Sequence, residues 1–478
     1  MNIPCKKTKI VATIGPVSRS SGVIEKFIRR GVNVFRLNFS HGSHDEHAEV
    51  IRKIRNISGR LQEHCCILAD LQGPKIRTGK TLDGGRVTLK KGASVTVSGR
   101  KAACTEKVIY INYPAMYSEM AVGQLLLLND GTVRLRVTSV HKRDRLLQCR
   151  VLNTGSYSSN KGVNLPDTRL NVPSITKKDR EDLRFALAQD INFVALSFVR
   201  KADDMRGLVR LVNRANKGVE CIAKIERPEA LENFSDILDA CDGIMVARGD
   251  LGVETSPYNI SIIQKDAIAE ANRQGKIVIV ATQMLESMVH HPVPTRAETT
   301  DVANAILDGT DAVMLSGETA AGEYPVQTIE VMNKIATATE ASSYYPRDFV
   351  NLNLKERYPP HSLCEAAGWA SRDLGDVPVV VYTASGETAR YLSKIRNQSC
   401  ILAFTPYQHV AQKLALSWNI TSFVLGIGND LVVLQRKAEA ILLNKKMAKK
   451  GELLLIVCGG SLAAGATNLL KVKKVGEE

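Results

Sequence analysis

The chain has 478 residues, too many for one compact core and enough for two to four domains. Its 44% hydrophobic and 24% charged content is that of an ordinary globular protein, and its longest apolar runs, at 125–128 and 453–458, are far too short to span a membrane. The net charge of +15 admits nucleic-acid binding, but the basic residues are dispersed and only 5% of residues are aromatic; a site for small polyanions explains the charge as well, and no nucleic-acid partner is expected.

The first residues, MNIPCKKTKIVAT, carry no apolar secretion signal, and the ten cysteines are scattered without a CxxC pair. A cytoplasmic protein with reduced, buried thiols is expected. From the N-terminus, β-branched runs alternate with helical text. KIVATIG (9–15) is followed by SGVIEKFIRR, then come VNVFRLNF (32–39) and CCILADL (65–71). The next run, NFVALSF (192–198), begins about 120 residues later and is followed by ECIAKIE (220–226), GIMVARGD (243–250), KIVIVATQM (276–284) and DAVMLSGET (311–319). Eight such units predict an α/β fold, a closed (β/α)8 TIM barrel. Between the third and fourth runs, RVTLKKGASVTVSG, LLLLNDGTVRLRVTSV and RLLQCRVLNTG alternate apolar and polar residues with Gly and Asp-Gly turns. This predicts an all-β domain inserted over 72–168, a β-barrel lid. Segments 1–71 and 169–345 then make up the catalytic barrel, close to the roughly 250 residues typical of one. After a linker at 342–360, VPVVVYT (377–383), CILAFT (400–405), ITSFVLG (420–426) and ELLLIVC (452–458) predict a C-terminal α/β domain over 346–478.

The barrel runs end in polar residues. Arg36, Asn38 and Ser40 share a face by period two; Asp70, Ser197, Lys224 with Glu226, Arg248 with Asp250, Thr282, and Ser316-Gly317-Glu318 close the others. A single pair such as Lys224–Glu226 reads equally well as a strand-end salt bridge. Polar groups at nearly every strand end, where such barrels hold their active sites, do not. Glu226 and Asp250 are hard oxygen donors suited to Mg²⁺ or Mn²⁺. Lys224 and Arg36 are cations beside them, and Gly249 allows close backbone approach to an anion. Together they point to a phosphoryl or carboxylate substrate with charge moving in the reaction. No Walker or dinucleotide fingerprint is present. The histidines of HGSHDEH (41–47) lack a completing zinc set and read as surface or capping groups, with a nucleotide contact at His41.

The motifs KTKIVATIGP, GVNVFRLNFSHG, ADLQGPKIRTG, KGVNLP, AKIERPEAL, VARGDLGVE, ATQMLESM, the long PTRAE-to-GEYP block and the terminal GATN resemble, in order and over nearly the whole chain, the pyruvate kinase family. The resemblance implies Mg²⁺-dependent (or Mn²⁺-dependent) phosphoryl transfer from phosphoenolpyruvate to ADP, giving pyruvate and ATP as the last step of glycolysis. It implies that Glu226 and Asp250 ligate the metal and that Lys224 stabilises the phosphoryl group and the enolate. Arg36, Ser197, Gly249, Asp250 and Thr282 would contact substrate, with Thr282 near the enolate carbon. Asn38, Phe39, Ser40, His41, Arg77 and Lys161 would contact the nucleotide, the last two from the lid. Asn38, Ser40, Asp70 and the Leu71 backbone match a monovalent-cation position. Many relatives read D-T-K-G-P-E-I-R-T-G where this chain has ADLQGPKIRTG, so Lys75 stands where they carry Glu, and Leu71 and Gln72 also differ. Lys75 is expected to substitute for K⁺, although Thr78 departs from the aliphatic residue of the K⁺-independent pattern. In TASGETAR, Thr383, Ser385, Gly386 and Thr388 match an effector site for a sugar phosphate or AMP, with helix capping by Ser385 as the plainer reading. A homotetramer is usual in the family. The nearest alternative is another metal-dependent phosphoenolpyruvate or oxoacid barrel, an aldolase or mutase; a non-catalytic protein that kept the fold is the other.

Overall fold

The structure is a computed structural model that describes residues 6–215, 218–346, 350, 352, 358–426, 431–459 and 467–477. Eight parallel strands close a barrel: β1 (Lys9–Ile14), β2 (Val34–Asn38), β3 (Cys66–Leu71), β4 (Phe193–Leu196), β5 (Glu220–Ile225), β6 (Gly243–Ala247), β7 (Ile277–Ala281) and β8 (Ala312–Leu315). Their order around the barrel is β1-β8-β7-β6-β5-β4-β3-β2. These strands are buried on both faces, against the packed interior and against a jacket of helices, which is why they read as continuous apolar runs. Several stop earlier than the text suggests. The sixth run ends at Ala247, and Arg248 opens a helix, α1 (Arg248–Glu254), so Arg248 and Asp250 sit on its first turn and not on a strand end. An acidic residue there complements the positive end of the helix.

The lid between β3 and β4 has its own core around Val97, Leu126, Leu135, Leu147 and Leu165. Its six-stranded sheet runs from an edge at Val163–Asn164 to one at Val108–Tyr110, with Gly155–Tyr157 and Val87–Leu89 as a separate pair. The two edges meet without a further strand. Gly162 bridges Arg77 and Ile111 bridges Thr78, so residues 77–78 join both edges. Nothing in GPKIRTGK alternates, and this closure could not be read from pattern.

The C-terminal sheet has the order β11-β10-β9-β12-β13, with β9 (Val379–Tyr382), β10 (Ile401–Thr405), β11 (Ile420–Val424), β12 (Leu453–Gly459) and β13 (Thr467–Lys474). The fifth strand, antiparallel to β12, was not foreseen. Its three lysines and mostly open side chains are those of a protected edge, which does not look like a strand in sequence. The helix α2 (Glu387–Lys394) docks this domain under the barrel. Arg390 reaches Glu220 at 2.5 Å and Lys394 reaches Asp311 at 2.5 Å; both acids lie at strand starts, opposite the mouth. Residues 347–349, 351 and 353–357 of the linker and Gly465-Ala466 of GATN lie outside the described residues.

The nine described cysteines are free, and eight are buried; burial pushes Cys65 up to about 12, so thiolate chemistry is suppressed. No helix among the described residues is long and apolar enough to cross a membrane.

Candidate active site

The expected residues converge at the C-terminal mouth of the barrel. Arg36 leaves β2 and donates from Nε to Asp70 Oδ2 at 2.7 Å and from Nη1 to Thr13 Oγ1 at 2.9 Å. Lys224 leaves β5 and donates to Ser197 Oγ at 2.7 Å; its Nζ lies 2.8 Å from Glu226 Oε1 and 3.4 Å from Asp70 Oδ1. Asp70 and Glu226 are each 1% exposed. Period-two spacing, which put residues 224 and 226 on one side, is what brings this pair together.

The charges support one another. Burial works against the Asp70 carboxylate, but Lys224 and Arg36 outweigh it and hold its pKa below the usual range. Burial likewise works against the Lys224 ammonium, and Asp70 and Glu226 outweigh it, so its pKa is raised above 10.5. The two carboxylates thus favour the charged form of Lys224. Glu226 differs: burial and the nearby Asp250 carboxylate push its pKa up against the pull of Lys224. The cluster holds two cations and three carboxylates.

That surplus fits a divalent cation. Glu226 Oε2 accepts the Phe198 amide at 2.7 Å, while the buried Oε1 lies 2.8 Å from the Lys224 ammonium. Asp250 is half-buried at the mouth. Among the described residues no group of three or more His, Cys, Asp and Glu side chains is arranged around a metal. Two carboxylates leave positions for water and substrate oxygens, which is how Mg²⁺ is held beside phosphates.

Two bends aim these groups, and both use a non-glycine residue at positive φ: Phe198 at 56° after β4 and Thr282 at 70° after β7. At the first, the Phe198 amide turns to Glu226. At the second, Thr282 Oγ1 accepts the Gly249 amide at 2.7 Å. The Gly249 N–H, expected to face an anion, is thus engaged in this structure. Arg248 differs more. Although placed at a strand end by its run, it is buried and points away from the cluster. It donates to the Thr282 carbonyl at 3.0 Å and the Gln283 carbonyl at 3.3 Å, and pairs with Asp301 at 2.6 Å. It braces the bend that carries Thr282. Glu318, fully buried, does similar work, accepting the amides of Ser316 (2.7 Å) and Leu285 (3.1 Å). Sequence could name these polar residues but not the direction they face.

The other expected contacts surround this cluster. A cleft of roughly 490 Å³ is lined by Thr13, Pro16, Arg36, Asn38, His41 and Ser316. A second, of roughly 830 Å³, opens between barrel and lid past Ser40, His41, Gln72, Arg77 and Tyr110. His41 belongs to both. Burial and the positive charges of Arg77, Lys75 and Arg36 lower its pKa, so this imidazole is neutral in a field that favours polyanions. Lys161 lies beside Arg77, its carbonyl accepting the Thr78 amide at 2.9 Å. The Phe39 ring packs against His47, tilted by 31°, and its carbonyl accepts Lys178 Nζ at 2.7 Å. His44 bonds Asp182 at 2.8 Å and stacks on Phe185, and His47 bonds the His41 carbonyl at 3.0 Å, so neither is turned toward a metal. At the monovalent-cation position, Asn38 Oδ1 accepts the Ser40 amide at 3.1 Å and the Leu71 carbonyl accepts Ser197 Oγ at 2.8 Å; Asp70 is committed to Arg36 and Lys224.

In the C-terminal domain the cap of α2 is Gly386, at φ 89°, and Thr383 Oγ1 accepts its amide at 2.9 Å. Ser385 Oγ accepts the Glu387 amide at 3.3 Å, and Thr388 Oγ1 is within 2.9 Å of Thr467 Oγ1. The four candidate effector residues therefore lie together at one helix start, partly satisfied by one another.

Comparison with known proteins agrees with this layout. Residues 5–329 match the family described as "Pyruvate kinase, barrel domain", and residues 361–473 match "Pyruvate kinase, alpha/beta domain". The chain is 44% identical over 473 residues to pyruvate kinase 2 of Synechocystis sp., covering 98% of this chain and 79% of the relative. It is 42% identical over 479 residues to a pyruvate kinase of Staphylococcus saprophyticus, covering 99% and 81%. Among solved structures, a pyruvate kinase from Cryptosporidium parvum superimposes with a TM-score of 0.90 at 32% identity, covering 99% of this chain and 98% of that one.

Proposed function

The chain belongs to the pyruvate kinase family and is a phosphotransferase that moves the phosphoryl group of phosphoenolpyruvate to ADP, giving pyruvate and ATP; from that premise we propose how its own residues divide the work. The observation that carries the proposal is the buried cluster of Arg36, Lys224, Asp70 and Glu226 with Asp250 beside it. Glu226 and Asp250 would hold Mg²⁺ or Mn²⁺, which would supply charge neutralisation and polarise the oxygens of a phosphoryl group. Arg36 and Lys224 bind that phosphoryl group, and Lys224 also faces the oxygen on which enolate charge develops. Ser197, hydrogen-bonded to Lys224, orients the ammonium. Thr282 and the α1 residues Gly249 and Asp250 complete the substrate contacts, with Thr282 near the enolate carbon. Asn38 to His41 and, from the lid, Arg77 and Lys161 hold the nucleotide. The lid excludes water that would otherwise take the phosphoryl group. A lactate-dehydrogenase-coupled assay tests this: pyruvate forms only when phosphoenolpyruvate, ADP and Mg²⁺ are all present. An aldolase or mutase would form product without ADP, and that result would overturn the reading.

The enzyme is further proposed to work without K⁺. The Asn38, Asp70 and Leu71 oxygens at the cation position already have protein partners, and the Lys75 charge acts on His41 across the same region. Two unit charges about 4 Å apart interact by roughly 4 kcal/mol at an effective dielectric near 20, enough for a tethered ammonium to repel a free cation and replace it. Turnover in tetramethylammonium buffer should change little when about 0.1 M KCl is added at matched ionic strength. Stimulation beyond about tenfold, a barrier change near 1.4 kcal/mol, contradicts this.

A sugar phosphate or AMP is proposed to bind at Thr383, Ser385, Gly386 and Thr388, and to act through α2, whose Arg390 and Lys394 hold the base of β5 and the start of β8. Glu387 in the same turn opposes phosphate. A screen at subsaturating phosphoenolpyruvate should lower the half-saturating concentration with at least one such ligand; no response across the set would remove the site. A cytoplasmic homotetramer completes the proposal.

A further inference from the structure

Arg227 and Glu254 take no part in the chemistry assigned above, yet they form one of the most deeply buried ion pairs in the chain. They are 3% and 4% exposed, with Arg227 Nη1 2.9 Å from Glu254 Oε2. A buried pair gains little net stability, because desolvation offsets the attraction. What it does supply is direction, and the positions it joins are specific. Arg227 directly follows Glu226. Glu254 lies one helical turn after Asp250, on the same side of α1. The pair therefore ties together the two segments that present the two carboxylates.

The same two residues also hold the lid. The other Glu254 oxygen accepts Asn164 Nδ2 at 2.8 Å, from the last strand of the lid. Arg227 Nη2 donates to the Thr168 carbonyl at 3.2 Å, where the chain returns to the barrel. Glu229 occupies the remaining face of the guanidinium, at 3.1 and 3.2 Å. Asn164 and Thr168 are 7% and 2% exposed, so this junction is buried. The lid turn at Gly131 comes near the same helix: a Cβ added there would lie 3.6 Å from Val253 Cγ1. Four segments, two from the barrel and two from the lid and its return, thus meet at one planar guanidinium and one carboxylate. A guanidinium can bridge several acceptors at fixed angles; a lysine ammonium cannot.

We infer that Arg227 and Glu254 are positioning residues that set the separation of the Glu226 and Asp250 carboxylates and couple it to the seating of the lid. This rests on the reading of Glu226 and Asp250 as the divalent-metal ligands. It assigns a role to the Arg of AKIERPEAL and the last Glu of VARGDLGVE, neither of which the site itself uses. A movement of the lid at Asn164 is transmitted through Glu254 to α1, and so to Asp250.

The test is Mn²⁺ binding to the ligand-free enzyme, read from the paramagnetic resonance of free Mn²⁺, with amide exchange of residues 125–165 measured in parallel. Glu254→Gln keeps the shape and the Asn164 bond but removes the charge. It should weaken Mn²⁺ binding by about tenfold, the lower end of what loss of a supporting partner costs a metal site. Lid amides should exchange faster. Glu226→Gln, run beside it, should abolish saturable binding. A purely structural pair would lower the melting temperature and leave the Mn²⁺ dissociation constant of the folded protein unchanged. If Glu226→Gln loses Mn²⁺ while Glu254→Gln binds within about twofold of the parent, well below the tenfold expected of a supporting partner, the positioning role is overturned and the metal reading stands. If Glu226→Gln also binds normally, the metal reading itself fails. Should Glu254→Gln not fold, Arg227→Lys, which keeps a cation beside Glu254 but cannot bridge the four segments, is judged by the same criterion.

Discussion

Lys224→Met is expected to lower turnover by at least 10²–10³, the usual cost of removing one preorganised charge from a developing oxyanion. Methionine roughly keeps the bulk but takes away the ammonium that lies 2.8 Å from Glu226 and 3.4 Å from Asp70. The structure adds a second consequence that the sequence did not suggest. Both carboxylates are buried, and breaking a buried pair costs on the order of 3–5 kcal/mol because it leaves charge uncompensated. Asp70 keeps Arg36, and Glu226 keeps the Phe198 amide, so the loss falls mainly on Glu226. Its carboxyl, already pushed up by burial, should rise further and bind a proton more readily. The melting temperature should drop, and Mg²⁺ should recover part of the drop by neutralising Glu226. Steady-state kinetics on protein shown to be folded separates the two effects. More than about a tenth of parental turnover, against a loss of 10²–10³ for such a group, would refute the role given to Lys224.

The sign of the pH dependence follows from the same groups. The Asp70 pKa lies below its unfolded value, so its contribution is present above about 3.9 and is lost as pH falls through the folded value. The Lys224 pKa lies above its unfolded value, so its contribution is complete below 10.5 and is lost as pH rises through the folded value. Between those limits Asp70 and Lys224 keep their charges, whereas Glu226, its pKa raised by burial and by Asp250, takes up a proton at a higher pH than a free carboxyl.

Glu226→Gln should be the second large effect. Glutamine retains an oxygen for the Phe198 amide, 2.7 Å away in the parent, so the left-handed turn at Phe198 stays held and the fold survives. The negative charge that faces Lys224 at 2.8 Å is lost. Mg²⁺ affinity should fall by more than the roughly 10–100-fold typical of a supporting residue, since a direct ligand is removed. Turnover at fixed Mg²⁺ should fall with it. Rate measured against Mg²⁺ concentration checks this: a half-saturating concentration unchanged from the parent would exclude Glu226 as a ligand.

The barrel was legible because its strands are buried on both faces and stand out as apolar runs, and the mouth was legible because Arg36, Asp70, Lys224 and Glu226 interrupt those runs where burial should forbid them. Family resemblance then supplied roles that residue type alone left open between a salt bridge and a catalytic pair. What stayed hidden depends on direction and on distance along the chain. Arg248 and Asp250 are two residues apart, yet one turns inward to brace Thr282 and the other faces the mouth, because the strand ends at Ala247 and a helix begins. Phe198 and Thr282 adopt positive φ without the glycine that would announce it. The lid closes through bridges at residues 77–78 that have no strand pattern. The junction at Arg227 draws on residues 164, 168, 227 and 254, which no local window contains.

The account stands on one claim, that this barrel mouth passes a phosphoryl group from phosphoenolpyruvate to ADP while the lid keeps water out. The most direct test uses phosphoenolpyruvate labelled in its phosphorus, incubated with the enzyme, ADP and Mg²⁺ in K⁺-free buffer. The label should appear in the terminal phosphoryl group of ATP, with one pyruvate formed per label transferred and inorganic phosphate at background. Label recovered as inorganic phosphate while ADP stays unphosphorylated, or label retained on the carbon skeleton of a rearranged product, would contradict it.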